Sequence, residues 1–408
     1  MISRRQLVAG AGAVLALSSA RAIAQAGPIR IGMLTVKSGA LAAGGRQMED
    51  GFRLFLSERA NRIAGREVAF VVADTGGQPA LAKTRAQELV QRAGVHVVVG
   101  PVAAFEALAI NDYLQEAGVP FLCASAAAED LTQRRINPWF VRTSSTSAQP
   151  CHPLGEYVAR DLAYKRIVTI ADDFAFGQEQ TAGFQRAFVA AGGTVVSKLW
   201  SPLNVADYGS YIAQIGEPDA VFAALAGANG LRFLRQYAEY GLKQKIPIIG
   251  AMTTVDEGVL HSMGDEALGI ISAGWYSAAL PGDANRRFVT ELRQQTGVDP
   301  GFYSAGAYSA GLALENALQN IDGKVEDKQA FMAALRKVEI ADDPRGPWRL
   351  DSYGNPIQNI YIRKTERKDG RLVNTVVKTY ENVSQFWTYK AEAFLSAPVY
   401  SRNDPTKL

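Results

Sequence analysis

Cysteine, histidine and net charge are what this chain of 408 residues has least of. Its two cysteines, Cys123 and Cys151, allow at most one disulfide. Cys123 ends a strand of the first half and Cys151 opens a helix of the second, so both are read as free buried thiols. The three histidines, His96, His152 and His261, are scattered, and no cluster has metal-ligand spacing. Neither a metal nor another cofactor is expected. A Gly-x-Ser-x-Gly elbow and a phosphate loop are missing too, which argues against hydrolase and nucleotide-binding chemistry. Gly10-Ala11-Gly12 lacks the third glycine and the preceding strand of a dinucleotide loop. Asp172 and Asp173 stand together at a strand end, but neighbours on an extended turn point apart, and they read as polar cleft-edge groups.

An excess of one charge is also lacking. Lys and Arg number 43 against 40 Asp and Glu, and Arg4, Arg5 and Arg21 fall in residues 1–24, which hold no acid. The remainder balances at zero, which argues against a nucleic-acid partner. The apolar stretch Leu7 to Leu17 is far shorter than the roughly 20 residues a membrane span needs. With Ser3-Arg4-Arg5-Gln6-Leu7 before it and Ala22-Ile23-Ala24 after it, it reads as a twin-arginine export signal cleaved after Ala24. A periplasmic location is expected.

What is present is length and repeated α/β patterning. A chain of this size is expected to form about two domains. Val95 to Ala127 is a βαβ unit: Val95, Val97, Val98 and Val99 end at Gly100-Pro101, a helix spans Phe105 to Glu116, and Val119 to Cys123 forms the next strand. Strands at Ile29 to Val36 and Arg66 to Asp74 alternate with helices at Met48 to Ala60 and Pro79 to Ala93, with Gly44-Gly45 in a loop. After Asn137 to Arg142 and the polar run Thr143 to Ser147 the pattern restarts. Strands at Arg166 to Ala171, Thr194 to Trp200, Ala220 to Leu225 and Ile246 to Ile249 alternate with helices. Beyond Ile270 to Trp275 come helices at Asn285 to Thr296, Ser304 to Ile321 and Lys328 to Lys337. Pro347 to Asp351, Ile357 to Lys364 and Leu372 to Tyr380 form a small antiparallel set. Two doubly wound α/β lobes follow, and such sheets bind ligands at the carboxyl edge of their strands.

In the central unit that edge is lined by Ala103, Ala104, Phe105, Ser125, Ala126 and Ala127, small enough for a ligand to approach the backbone. A carboxylate is expected on the amides near Ala104 and Phe105 at the helix start, assisted by Ser125 and by Arg46, unless Arg46 is only a solvated charge. Arg142 and Thr143 stand at the first lobe crossing, in a hinge or structural role.

The landmarks resemble the periplasmic solute-binding proteins of ABC importers, in the class of the leucine-isoleucine-valine binding protein. They are Ser38-Gly39 and Gly51, Val99-Gly100 with Cys123-Ala124-Ser125, Asp130-Leu131-Thr132, Phe140-Val141-Arg142-Thr143, Asp172-Asp173 with Phe176-Gly177, and Gly346-Pro347 before Asp351. The resemblance implies two Rossmann-like lobes joined by a three-crossing hinge, the type I periplasmic binding fold, closing on a ligand delivered to a membrane permease and its ATPase. The expected division is residues 27–144 with about 275–352 in the first lobe and 145–274 with about 353–380 in the second. A tail, 381–408, packs on both, and the chain is expected to be a monomer.

Two departures bear on the ligand. Where amino-acid-binding members hold the α-carboxylate with hydroxyl side chains, this chain has Ala104 and Ala127. Where they pair the α-ammonium with an acid, alignment on Ile249-Gly250 places Met252. An unpaired buried ammonium costs several kcal/mol, whereas burying ~150 Å² of ring at ~25 cal/mol per Å² returns about 4 kcal/mol. Phe176, aligned with an aromatic wall in those relatives, is expected to sandwich a ring with Phe105 and Met252, core packing being the alternative for each. Arg345-Gly346-Pro347-Trp348, Asn355-Pro356-Ile357-Gln358-Asn359 and the tail motifs Asn382 to Trp387 and Pro398 to Arg402 are similar to a subgroup binding aromatic carboxylates. These segments are expected outside the cleft. The expectation is thus a receptor for a benzoate or hydroxycinnamate type of acid, with a branched-chain amino acid or amide receptor, or a sensor domain for a membrane kinase, as alternatives.

Overall fold

Runs of β-branched and aromatic residues become two sheets. The structure, a computed structural model, describes residues 27–404, so the export-signal reading of residues 1–24 lies outside the described residues. Within that range no helix is long and apolar enough to cross a membrane. The first sheet contains β1 (Ile29–Thr35), β2 (Arg62–Ile63), β3 (Arg66–Asp74), β4 (Val97–Val99), β5 (Phe121–Cys123) and β6 (Phe140–Arg142), in the order β2-β3-β1-β4-β5-β6. All pairs are parallel except β2 on β3. The second sheet contains β7 (Arg166–Asp172), β8 (Thr194–Ser201), β9 (Ala220–Ala224), β10 (Ile248–Ala251) and β11 (Ile271–Gly274), in the parallel order β8-β7-β9-β10-β11.

Both sheets are doubly wound, so each has a place where the winding reverses, between β1 and β4 in the first and between β7 and β9 in the second. Loops leave such a point in opposite directions and open a crevice.

The late antiparallel strands do not form a separate set. β12 (Glu339–Ile340), β13 (Trp348–Leu350), β14 (Pro356–Lys368) and β15 (Arg371–Val383) extend the second sheet, with β14 antiparallel to β11 through Ala273 opposite Ile362. Residues 275–352 are accordingly divided. The helix Phe302–Gln319 packs on the first lobe's helix Ala42–Ser57, while β12 and β13 continue the second sheet.

The Ala42–Ser57 helix starts six residues before the expected Met48 and includes Gly44 and Gly45. A side chain at 45 would put a Cβ 1.8 Å from the Val36 carbonyl oxygen, and one at 51 would sit 2.2 Å from that of Ser304. These glycines are there for close approach rather than for a loop. Cys123 and Cys151 are unbonded and buried.

Three crossings join the lobes, and one guanidinium touches all of them. Arg345 Nη1 donates to Thr143 O at 2.6 Å and to Gln358 Oε1 at 2.8 Å, and its guanidinium lies over the rings of Trp275 (4.9 Å) and Trp348 (4.3 Å). Burial pushes its pKa down to about 10, so it stays charged. Arg142, fully buried, donates to Thr132 Oγ1 (2.8 Å), Ala128 O (2.6 Å) and Asn355 Oδ1 (2.9 Å), tying the first crossing to the third. Thr143 Oγ1 donates to Gly306 O at 3.1 Å. The Arg345, Asn355 and Gln358 segments do lie outside the cleft, and where they lie is the hinge.

The tail crosses both lobes. Arg134 donates to the carbonyls of Phe394, Leu395 and Ala397, Arg186 lies 4.1 Å from the Tyr389 ring, and Arg402 pairs with Asp173 at 2.6 Å.

Deleting a buried guanidinium strands the carbonyls and the carboxamide it served. Arg345→Leu is expected to lower the unfolding free energy by about 3 kcal/mol in chemical denaturation. A loss below roughly 1 kcal/mol would show that the crossings hold without it.

Candidate ligand-binding cleft between the lobes

The two reversal points face one another across a tight cleft that holds a cavity of about 20 Å³. Leu41 follows β1, Val102, Ala103 and Ala104 follow β4, and Ser125 and Ala127 follow β5. Phe174 and Phe176 follow β7, Ala226 follows β9, and Phe302 and Tyr303 open the helix Phe302–Gln319. The cavity has room for about one water, against the roughly 300 to 1,000 Å³ of known small-molecule sites, so the lobes must part to admit a ring.

The polar groups on the lining belong to the first lobe. The helix Ala104–Glu116 begins at the cavity wall, and its first amides, Ala104 and Phe105, have no acceptor among the described residues. The preceding amide, Ala103, is taken by Glu106 Oε2 at 3.0 Å, and Glu106 also accepts from Thr75 Oγ1. Ser125 Oγ donates to Val102 O at 2.9 Å, so in this arrangement it offers only lone pairs to the cavity.

The second lobe presents an apolar face. Phe105, Phe174 and Phe176 form a run of rings, with Phe105 edge-on to Phe174 at 5.5 Å and Phe174 6.1 Å from Phe176. Behind Ala226, Asp172 accepts from the Ala226 amide (2.9 Å) and from Asn229 Nδ2 (2.6 Å). Burial pushes its pKa up to about 7.

Of the residues singled out from the sequence, Ala103, Ala104, Ser125, Ala127 and Phe176 come together on the lining. Phe105 stands behind Phe174. Ala126 turns away: its amide donates to Pro101 O, and its carbonyl accepts from Cys123 Sγ and Arg142 Nε. Arg46 is exposed on the outer face of its helix, near Asp50, because Gly44 and Gly45 occupy the inner face. Met252 is buried below the cleft, its sulfur over Gly274 and its carbonyl accepting from Arg363 Nη2. Beside it the buried pair Arg363–Glu257 (3.1 Å) neutralises itself.

Leu41, Val102, Phe174, Ala226, Phe302 and Tyr303 were not singled out. Phe174 sits two residues before Phe176 and shares its strand-end signal. Phe302 and Tyr303, which follow Pro300-Gly301, have no local signal, because only the chain's return to the first lobe brings them here.

The lobes meet at positions that tolerate no side chain. A Cβ on Gly227 would lie 2.3 Å from Ala40 O, and one on Gly301 2.3 Å from Asp256 Oδ1. Asp256, from the second lobe, accepts from the Phe302 amide at 2.6 Å and so caps a helix packed on the first lobe. Burial, then the neighbouring Glu257, push its pKa up to about 7.

Two α/β lobes closing on a small, mostly apolar cavity define a ligand-capturing receptor. The sequence profile of the family described as periplasmic binding protein matches residues 28–371, and the chain belongs to that family. It is 30% identical to Leu/Ile/Val-binding protein homolog 6 of Brucella melitensis over 378 residues, 90% of this chain and 96% of the relative. A solute-binding protein of an ABC transporter from Rhodopseudomonas palustris BisB5, solved with 3,4-dihydroxybenzoic acid, superposes with a TM-score of 0.84 at 32% identity, covering 88% of this chain and 98% of that one. One from R. palustris solved with benzoate superposes at 0.82 and 28% identity, covering 88% and 98%.

Asp172 and Asp256 hold protons in the folded chain up to about pH 7, whereas unfolded aspartates lose them near 4. Their contribution favours folding at low pH and is lost as pH rises through 7. The melting temperature is expected to fall between about pH 5 and pH 7.5, with Asp172→Asn flattening part of the slope. A melting temperature that rises over this range would contradict the protonated state.

Proposed function

We propose that this chain is the extracytoplasmic receptor of an ABC importer, exported by the twin-arginine route. It captures a small aromatic carboxylate of the benzoate or hydroxycinnamate type between its lobes and delivers it to a permease and ATPase complex. In this reading residues 27–144 with the helices of 275–335 act as one lobe, and 145–274 with the late strands as the other. The chain acts as a monomer, without a cofactor or catalysis.

The observation that carries the ligand class is the division of the cleft: free helix-start amides on one lobe, facing Phe174, Phe176 and Ala226 on the other. An anion is stabilised at the first and a ring at the second. An α-ammonium has no free acid to meet, since Met252 occupies the aligned position and Asp172 already accepts from Ala226 and Asn229. The aromatic acids bound by the R. palustris neighbours support the same class. Ligand contacts are assigned to Ala103, Ala104, Ser125, Ala127 and Phe176, with Phe105 backing the ring wall. Arg142 and Thr143 are assigned to the hinge.

A branched-chain amino acid receptor is the second reading, supported by the name of the Brucella relative. A thermal-shift screen separates them. Benzoates are expected to raise the melting temperature and leucine to leave it unchanged; the reverse would overturn the aromatic reading. Phe176→Ala is expected to weaken a bound benzoate by more than about tenfold in calorimetry, and a smaller change would assign Phe176 to packing alone.

A further inference from the structure

One hydroxyl on the cavity wall is engaged by none of the described residues. Tyr303 is only 7% exposed and lines the cavity, yet its hydroxyl has no hydrogen-bond partner among the described residues. The ring is buried, but the hydroxyl oxygen itself is accessible from the cavity, so a ligand group can reach it. The other side-chain hydroxyl of the lining, on Ser125, already donates to Val102 O.

The Tyr303 ring cannot turn away. It lies against Gly44, where a Cβ would come within 2.7 Å of the ring tip, and is edge-on to Phe302 with centroids 5.0 Å apart. Burial, with Asp256 and Asp172 in the neighbourhood, raises its pKa, so the hydroxyl stays protonated and can both donate and accept.

Sheet order places it along the cleft. Leu41 and Gly44 follow β1, the free amides follow β4, and Ser125 and Ala127 follow β5; β4 lies between β1 and β5. The anion end of the cavity is thus on the β4–β5 side, and the tip of Tyr303 is on the β1 side. A ring whose carboxylate meets the amides turns its opposite edge towards Tyr303. No partner for a polar ring substituent stands on the second lobe, where the lining is Phe174, Phe176 and Ala226.

We propose that Tyr303 is a specificity-determining residue whose hydroxyl pairs with a hydroxyl on the ligand's ring. The cleft thereby takes hydroxylated aromatic carboxylates in preference to unsubstituted ones. The proposal rests on the aromatic-carboxylate reading above. A site built to pair with a hydroxyl discriminates strongly against analogues that lack it, because its own polar group is then left unpaired.

Calorimetry on the mature protein with benzoate, 4-methylbenzoate, 4-hydroxybenzoate and leucine tests it. The wild type is expected to bind 4-hydroxybenzoate at least about tenfold more tightly than 4-methylbenzoate, which matches it in size but has no hydroxyl. Tyr303→Phe is expected to bring the two within about threefold. Equal wild-type affinities for the methyl and hydroxyl acids would overturn the proposal, even if the variant failed to fold. So would a variant that weakened benzoate and 4-hydroxybenzoate alike, which would put Tyr303 at the carboxylate. Binding of leucine with no aromatic acid bound would instead overturn the reading of the cleft itself.

Discussion

A single buried cation holds the three crossings in register. Arg345 reaches the Thr143 carbonyl of the first crossing, packs on Trp275 of the second and meets Gln358 and Trp348 of the third. The guanidinium's hydrogen bonds all leave from Nη1, to segments far apart in sequence, while Nε stands 3.8 Å from Asp343 Oδ2 and the rest of the group is covered by the two indole rings. Arg142 repeats the device one layer away through Asn355. Backbone torsion at the crossings can change only if these donors keep their acceptors, so the hinge favours rotation of whole lobes over local fraying.

The lobes so hinged meet through glycine. Ala40 lies against Gly227, Gln47 against Gly258, and Asp256 against Gly301. Close approach at these glycines leaves little room between the faces, and the cavity is only about 20 Å³. In that space water is excluded and a polar group left without a partner is costly. In the proposed reading the amides of Ala104 and Phe105, the apolar second-lobe face and the Tyr303 hydroxyl act as a filter on ligand chemistry. Ligand is held by what closure removes from solvent, and its differential affinity for the closed form sets the lobe equilibrium.

Local periodicity made much of the fold legible. The valine run at β4 is a strand because its side chains fill both faces of a buried sheet, whereas Arg66 to Asp74, one strand in from the sheet edge, is mostly half-buried. The helix Ala42–Ser57 begins earlier than local pattern predicts, for the opposite reason. Gly44 and Gly45 look like loop residues in isolation, yet they are helical because Tyr303 and the Val36 carbonyl press against them. Arg46 shows the consequence: its place on the helix follows from its neighbours and turns it to solvent, away from the cleft.

The sequence by itself determined the two α/β lobes and the small-residue edge at Ala103, Ala104, Ser125 and Ala127, because these follow from short-range patterning and strand-end chemistry. It also determined an aromatic at 176. Tertiary structure alone decided that Phe302 and Tyr303 return to complete the cavity, that Met252 sits beneath it, and that Arg345 ties the hinge. Those outcomes rest on contacts between segments from different parts of the chain, and no local pattern encodes which distant backbone a side chain will meet.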